Sequence, residues 1–253
     1  MTAPRAVTGR VAIVGGGPGD PGLLTVRARE LLDQADVVVV DRLAPQAVLA
    51  TLRPEVEVVD VGKSPHRHNA TQEEINVILV DRARSGSLVV RLKGGDPYVF
   101  GRGGEEALAC VAAGVPVEVV PGVTSAVAVP AAAGIPVTHR GITQDFAVVS
   151  GHLDPAAPGS SVDWEALACG PGTLVLLMAM ACINVIAAEL IKRGRPASTP
   201  VAVISSGTLS TQRVLISELH SVAEDVTREQ FSPPAVIVIG EVVRLRERLV
   251  VAP

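Results

Sequence analysis

The stretch from Val11 to Thr25, VAIVGGGPGDPGLLT, decides how the chain is read. Four apolar residues in succession suit a parallel strand covered on both faces. Glycines then turn the chain, and Leu24, Ala28, Leu31, Leu32 and Ala35 recur at helical spacing. Strand, glycine turn and helix begin many nucleotide-binding folds, and GPGDPG at 17–22 has the spacing G-x-G-x-x-G. Asp41 lies about 20 residues further on, at the end of ADVVVVD, where a dinucleotide site places an acid for a ribose hydroxyl. Pro18 and Pro21 speak against that use, because each lacks an N–H that would meet a pyrophosphate. The chain also turns early, at Gly15–Gly16. An NAD-dependent oxidoreductase is therefore the runner-up.

The same alternation runs outward to both ends. ADVVVVD, VEVVDVG, SLVVRLK and VPVEVV read as strands; TQEEINVILVDRARSG and EEALACVAAG read as helices. Thr71 with Glu74 three residues on has the form of a capping box. Gly114 closes the second helix, and TSAVAVPAAAG reads as a short helix bent at Pro130. A second series follows, with FAVVSGH, TLVLLMAM, TPVAVISSG and PAVIVIGEVV as strands and WEALACG, INVIAAELIKRG and VVRLRERL as helices. The composition shift near Pro121 to Thr138 marks the expected boundary, giving two α/β domains over 1–122 and 123–253.

Composition narrows the function. The formal charge of −4 gives no general attraction to nucleic acid, and 2% aromatic residues leave few platforms for base stacking. Hydrophobic residues at 48% supply a sizeable core without staples. The cysteines Cys110, Cys169 and Cys182 are far apart and suit a reducing compartment. TLVLLMAMACINVI is too short, and too polar at Asn184, to span a bilayer. No apolar run of the signal-peptide kind lies in the first ten residues. A soluble cytoplasmic protein with no membrane and no nucleic-acid partner is expected.

Two further strand-end loops share the style of the first: KGGDPYVFGRGGEE and VVPGVTSA. Glycine at such points lets a ligand lie on the backbone. Pro-Gly and Gly-Asp-Pro set turn shape and supply few N–H donors, which suits a neutral or cationic ligand better than a diphosphate. Asp20 and Asp96 are candidates to meet a positive charge or ribose hydroxyls. The alternative is that the loops are tight turns and nothing more.

GPGDPGLLT, VVVVDRLAP, VGK, TQEEIN, VVRLKGGDPYVFGRGGEE, VVPGVTSA, GIPVTHRG and VSGH occur in the order and spacing of the tetrapyrrole methylases, which the chain resembles from about Val11 to Leu249. The block at 89–106 and THRG at 138–141 are the most specific parts. The resemblance implies two α/β domains with the active site in the cleft between them, and a homodimer. It implies a methyltransferase that uses S-adenosyl-L-methionine, leaves S-adenosyl-L-homocysteine, and methylates C2 and C7 of uroporphyrinogen III to give precorrin-2 for siroheme or cobalamin.

Carried over by motif, the cofactor is expected at Pro18, Gly94, Gly95, Asp96, Val99, Thr124, Ser125, Met178, Ala202 and Gly207. Relatives usually have an aromatic residue before that methionine and a glycine after it; here Leu177 and Ala179 stand instead. Ser206 stands where asparagine is common. Asp41 is the candidate proton acceptor and Lys63 the candidate donor, the alternatives being a helix-capping or Arg42-paired carboxylate and a solvated lysine.

A polycarboxylate macrocycle needs cations despite the acidic whole. Arg102 and Arg140 are the candidates, because guanidinium forks suit carboxylates. Arg102 is also counted with the catalytic group, and Glu105 and Met178 with the substrate site. Glu105 is placed either to orient Arg102 or to face a pyrrole N–H, and Arg140 has an exposed turn as its alternative. His66 and His68 form an H-x-H pair with no third ligand suggested, so no metal is expected. His139 is read either as a substrate contact or as core, and His152 as a strand-end residue. A methylase for a later corrin precursor and a non-catalytic tetrapyrrole carrier are the remaining alternatives.

Overall fold

A computed structural model describes residues 9–62 and 70–250; Lys63, His66 and His68 lie outside the described residues. The chain divides into two units between Thr124 and Ser125.

The first unit contains β1 (Arg10–Gly15), α1 (Val26–Gln34), β2 (Val37–Val40), α2 (Gln46–Leu49), β3 (Glu57–Asp60), α3 (Gln72–Arg84), β4 (Leu88–Lys93), α4 (Gly103–Ala112) and β5 (Val117–Val120). Its sheet has the order β3-β2-β4-β1-β5, and every pair is parallel. All four valines of β2 are buried, as a strand covered on both faces requires. Alternate residues feed two cores. Ala12, Val14, Val38, Val40, Val90 and Leu92 pack with Ala28, Leu31 and Leu32 of α1. Val11, Ile13, Val37, Val39 and Val89 pack with Leu79 of α3 and with Ala107 and Cys110 of α4. Leu31, Leu32 and Leu79 are completely enclosed, and each contributes about 2 kcal/mol of burial.

Local signals place these helices. The Thr71 hydroxyl accepts from Glu74 N at 3.2 Å and the Glu74 carboxylate accepts from Thr71 N at 2.7 Å, so the expected capping box forms. Pro21–Leu23 is a single 3-10 turn, and α1 starts only at Val26, capped by Thr25. Gly114, at φ 71°, ends α4 and returns the chain so that Val115 N donates to Cys110 O at 2.9 Å.

The second unit contains α5 (Ser125–Ala132), β6 (Phe146–Ser150), α6 (Trp164–Cys169), β7 (Thr173–Leu177), α7 (Ile183–Lys192), β8 (Pro200–Ser205), β9 (Arg213–Glu218), α8 (Val222–Arg228), β10 (Ala235–Ile239) and α9 (Arg246–Leu249). The sheet order is β6-β7-β10-β8-β9. Only β6 and β7 run parallel; the other three pairs are antiparallel. Helices α6, α7 and α8 contribute to the core on one face of this sheet, and α5 with Val242 and Val243 to the core on the other.

Several sequence-based bounds change here. Strand β7 stops at Leu177, and the run read as PAVIVIGEVV stops at Ile239, where Gly240 at φ 149° turns the chain. The C-terminal segment is a 3-10 stretch, Glu241–Leu245, followed by the short α9. Strand β9 and helix α8 go unread in the sequence. Strand β9 is an edge strand with no fully buried residue, and α8 buries only Val222 and Val226, so neither carries a strong apolar period. Among the described residues no helix is long and apolar enough to cross a membrane.

Candidate active site

The glycine loops of the first unit meet at the carboxyl ends of adjacent parallel strands, where ligands bind in open α/β sheets. Gly17 N donates to Gly95 O at 3.1 Å and Gly95 N to Gly17 O at 2.7 Å, joining the loop after β1 to the loop after β4. The loop after β5 closes on both. A Cβ on Gly122 would lie 2.3 Å from Gly95 O and 2.7 Å from Gly15 Cα. A Cβ on Gly94 would lie 2.6 Å from Leu43 O, so the loop after β2 is packed against the same group. Asp96 ties the assembly together: its Oδ1 accepts from Tyr98 N at 2.8 Å and its Oδ2 from Gly122 N at 3.0 Å. In the first loop, Asp20 Oδ1 accepts from Gly22 N at 2.8 Å. Pro18 is half-buried at the crown of that loop, and Val99 N donates to Asp96 O at 3.3 Å. Gly94, Gly95, Asp96 and Val99 thus belong to one loop, and Pro18 follows the Gly17 that pairs with Gly95.

Asp41 stands just past β2, on the face already used by Val37 and Val39. Its Oδ1 accepts from Leu43 N at 3.1 Å and its Oδ2 from Arg91 Nη2 at 3.1 Å. The Arg42 pairing entertained from sequence is therefore replaced by a partner from β4. Arg91 and Lys93 follow Val89 on that face of β4 and are buried, and α4 sends fully buried Glu106 to meet them. Arg91 Nε donates to Glu106 Oε1 at 3.0 Å, and Lys93 Nζ donates to the same oxygen at 3.1 Å. Burial first, and the Arg91 charge next, push the Lys93 ammonium below its ordinary value, against the pull of Glu106. Arg91, Lys93 and Glu106 are functional candidates that the sequence motifs do not single out. The available signal was the alternation V-x-R-x-K in a strand expected to be buried on both faces.

The loop between β4 and α4 carries two non-glycine residues in the left-handed region, Phe100 at φ 53° and Arg102 at φ 59°. Such conformations cost on the order of 1–3 kcal/mol and gather at ligand sites. Arg102 caps α4, is largely exposed, and is held by Glu105 through Nε–Oε1 at 2.8 Å and Nη2–Oε2 at 2.6 Å. The guanidinium holds the Glu105 carboxyl below the usual carboxylate range. This ion pair is the geometry that one of the two roles expected of Glu105, orienting Arg102, requires.

Thr124 is the last residue of the first unit and Ser125 opens α5. In the second unit Met178 follows directly on β7, at φ 60°, and is half-exposed. Ser206 at φ 50° and Thr208 at φ 69° bracket Gly207, where a Cβ would meet Val129 of α5 at 2.4 Å. Ala202 is completely enclosed in the core that includes Ala126 and Val129, so its side chain offers no open surface. His139 and Arg140 are exposed in a turn closed by the bridge between His139 and Thr143, so the core reading of His139 is replaced by a surface one. His152 is exposed, with Nδ1 2.9 Å from Ser150 Oγ. Among the described residues no group of three or more His, Cys, Asp or Glu is placed to hold a metal ion.

Residues 10–223 match the sequence pattern of a family described as Tetrapyrrole (Corrin/Porphyrin) Methylases. The S-adenosyl-L-methionine-dependent uroporphyrinogen III methyltransferase of Methanosarcina barkeri is 50% identical over 241 residues, covering 95% of this chain and 94% of that protein. The siroheme synthase of Azotobacter vinelandii is 47% identical over 98% of this chain but only 53% of its own length, so the chain spans about half of that relative. The crystal structure of uroporphyrin-III C-methyl transferase from Thermus thermophilus complexed with S-adenyl homocysteine aligns with a TM-score of 0.80 at 47% identity, covering 94% of this chain and 100% of that one.

Proposed function

The chain belongs to the tetrapyrrole (corrin/porphyrin) methylases, and from that premise we propose that it transfers methyl groups from S-adenosyl-L-methionine to C2 and C7 of uroporphyrinogen III, giving precorrin-2. Support for the substrate comes from near-full-length relatives named for that reaction, one in sequence and one in structure. The observation that carries the reading is the meeting of the loops after β1, β2, β4 and β5 around the backbone of Gly94, Gly95 and Asp96, with Asp41 beside them.

The donor set suits a sulfonium nucleoside. Asp20 is exposed and the Asp41 side chain is 29% exposed, whereas the neighbouring cations Arg91 and Lys93 are buried. Solvent-facing negative charge and glycine backbone favour a positive centre and ribose hydroxyls over a diphosphate. When bound, S-adenosyl-L-methionine supplies an electrophilic methyl group. The chain's part is alignment and exclusion of water, served by loops locked to one another through Gly17–Gly95 and Asp96–Gly122. The methylated ring carbon already bears a carboxylate side chain and becomes quaternary, its π electron pair forming the new C–C bond and the sulfur leaving as the thioether. A carboxylate at Asp41 takes the proton that the resulting cationic macrocycle loses from a pyrrole nitrogen or an adjacent bridging carbon, the freed electron pair restoring a neutral conjugated system. Lys63 is the candidate proton donor of the same reading. The second unit's candidates are Ser125, Met178, Ala202 and Gly207 for the donor, and Met178 and Arg140 for the macrocycle.

Anaerobic incubation with uroporphyrinogen III and methyl-labelled S-adenosyl-L-methionine tests the reading. Label at C2 and C7 of the macrocycle is expected; an unlabelled macrocycle recovered from folded, donor-bound protein contradicts it.

Arg102 and Glu105 serve the macrocycle in this account. Arg102→Ala is expected to weaken uroporphyrinogen III binding by about tenfold, the value of one charge-assisted carboxylate contact. Affinity for S-adenosyl-L-homocysteine stays at the wild-type level. Titration of both ligands reads the split, and unchanged macrocycle affinity would refute the assignment.

A further inference from the structure

Behind Asp41 lies a set of charges that fold stability does not explain. Arg91 is 2% exposed and Glu106 wholly buried, and with Lys93 they stand on a face of the sheet otherwise lined by Val11, Ile13, Val37, Val39 and Val89. Replacing a buried ion pair by apolar side chains is often neutral or stabilising, so a charge retained there needs another reason.

The geometry supplies one. Arg91 sits opposite Ile13 on one side and Val39 on the other, in the middle of the parallel sheet. Its guanidinium is held on three sides: Nε to Glu106 Oε1 at 3.0 Å, Nη1 to Val39 O and Leu92 O at 3.3 Å each, and Nη2 to Asp41 Oδ2 at 3.1 Å. A planar fork used in this way has one orientation, which a lysine ammonium cannot reproduce. Glu106 Oε1 also takes Lys93 Nζ and, at 3.4 Å, Gln72 Nε2. Asp41 thus has one oxygen on Leu43 N and the other on Arg91. A carboxylate has about four lone-pair sites, so acceptor capacity remains on its exposed side.

We propose that Arg91, held by Glu106, is a positioning residue that sets the direction of the Asp41 carboxylate for proton removal. The proposal rests on Asp41 being the proton acceptor. Arg91 touches neither donor nor macrocycle in this account; it acts through Asp41 alone. The network ends at Lys93, the residue before Gly94, so the acceptor and the base of the donor loop share one anchor, Glu106 Oε1.

A double-mutant cycle tests this. Asp41→Asn, Arg91→Met and the double variant are compared in kcat, in KM for uroporphyrinogen III and in affinity for S-adenosyl-L-homocysteine, with thermal melts as a control for folding. Arg91→Met is expected to lower kcat by about 10²-fold, the scale of a misplaced reacting group, with KM and nucleoside affinity at wild-type levels. The double variant is expected to be no slower than Asp41→Asn alone. Arg91→Lys, which keeps the charge and loses the fork, is expected to match Arg91→Met; it carries the same cycle if the methionine variant does not fold. Losses that multiply in the double variant would overturn the positioning role and leave the acceptor assignment standing, as would wild-type kcat in Arg91→Lys. Wild-type kcat in Asp41→Asn would overturn the acceptor assignment and this proposal with it.

Discussion

Asp41→Asn is expected to lower kcat for methylation of uroporphyrinogen III by about 10²- to 10⁴-fold, the range for loss of a general base. Asparagine has nearly the same shape, so the loops at 94–96 keep their form and affinity for S-adenosyl-L-homocysteine is unchanged. The local cost follows from donor and acceptor counts. Asp41 accepts from Leu43 N through one oxygen and from Arg91 Nη2 through the other. An amide has one oxygen and one NH₂, so one of those donors faces another donor. With the amide oxygen kept on Arg91, the donor left over is the exposed Leu43 N, and stability falls by about 1 kcal/mol, the value of one hydrogen bond. Steady-state kinetics with a nucleoside titration on the same sample reads the result. A kcat close to wild type would remove Asp41 from the chemistry.

Gly122→Ala tests the other half of the account, that the strand-end loops are locked backbone to backbone. The added methyl would lie 2.3 Å from Gly95 O, with Gly15 Cα at 2.7 Å. Both neighbours are main chain at the ends of β4 and β1, so no flexible side chain can give way. The loops must separate, which breaks the Gly122 N–H bond to Asp96 and strains the Gly17–Gly95 pair. A loss of about 3 kcal/mol is expected, at the upper end for overpacking, together with most of the affinity for S-adenosyl-L-homocysteine. Gly104→Ala is the control. Nothing lies within 4 Å of its added Cβ, and it sits inside α4. A stability gain of up to roughly 1 kcal/mol is expected there. Equal melting temperatures and affinities for Gly122→Ala and wild type would show that the loops are not held as described.

How much of this was legible in the sequence depends on how local the cause is. The capping box of α3 and the glycine stop after α4 are written within a few residues, and the structure has both. The apolar runs of β1, β2 and β4 announce strands because each is buried on both faces. Strand β9 is an edge strand whose residues are at most partly buried, so its period is blurred, and with it the antiparallel character of the second sheet. The partner of Asp41 could not be read locally. Arg42 is its neighbour in sequence, but Arg91 is its neighbour in the sheet, and only the register of β2 against β4 puts them together. The block at 89–106 was recognised by its glycines and by Arg102. Its buried charges, Arg91, Lys93 and Glu106, gain meaning only when β4 and α4 are seen to face one another. For His139, read either as a substrate contact or as core, exposure removes the core reading.

The most direct test of the account is a crystal structure of the chain with S-adenosyl-L-homocysteine. The nucleoside is expected on the backbone of Gly94–Asp96, bordered by Pro18 and near the Asp41 carboxylate, at the carboxyl ends of β1, β2, β4 and β5. Nucleoside bound at the amino ends of those strands, or none at these loops in crystals grown at saturating ligand, would contradict it.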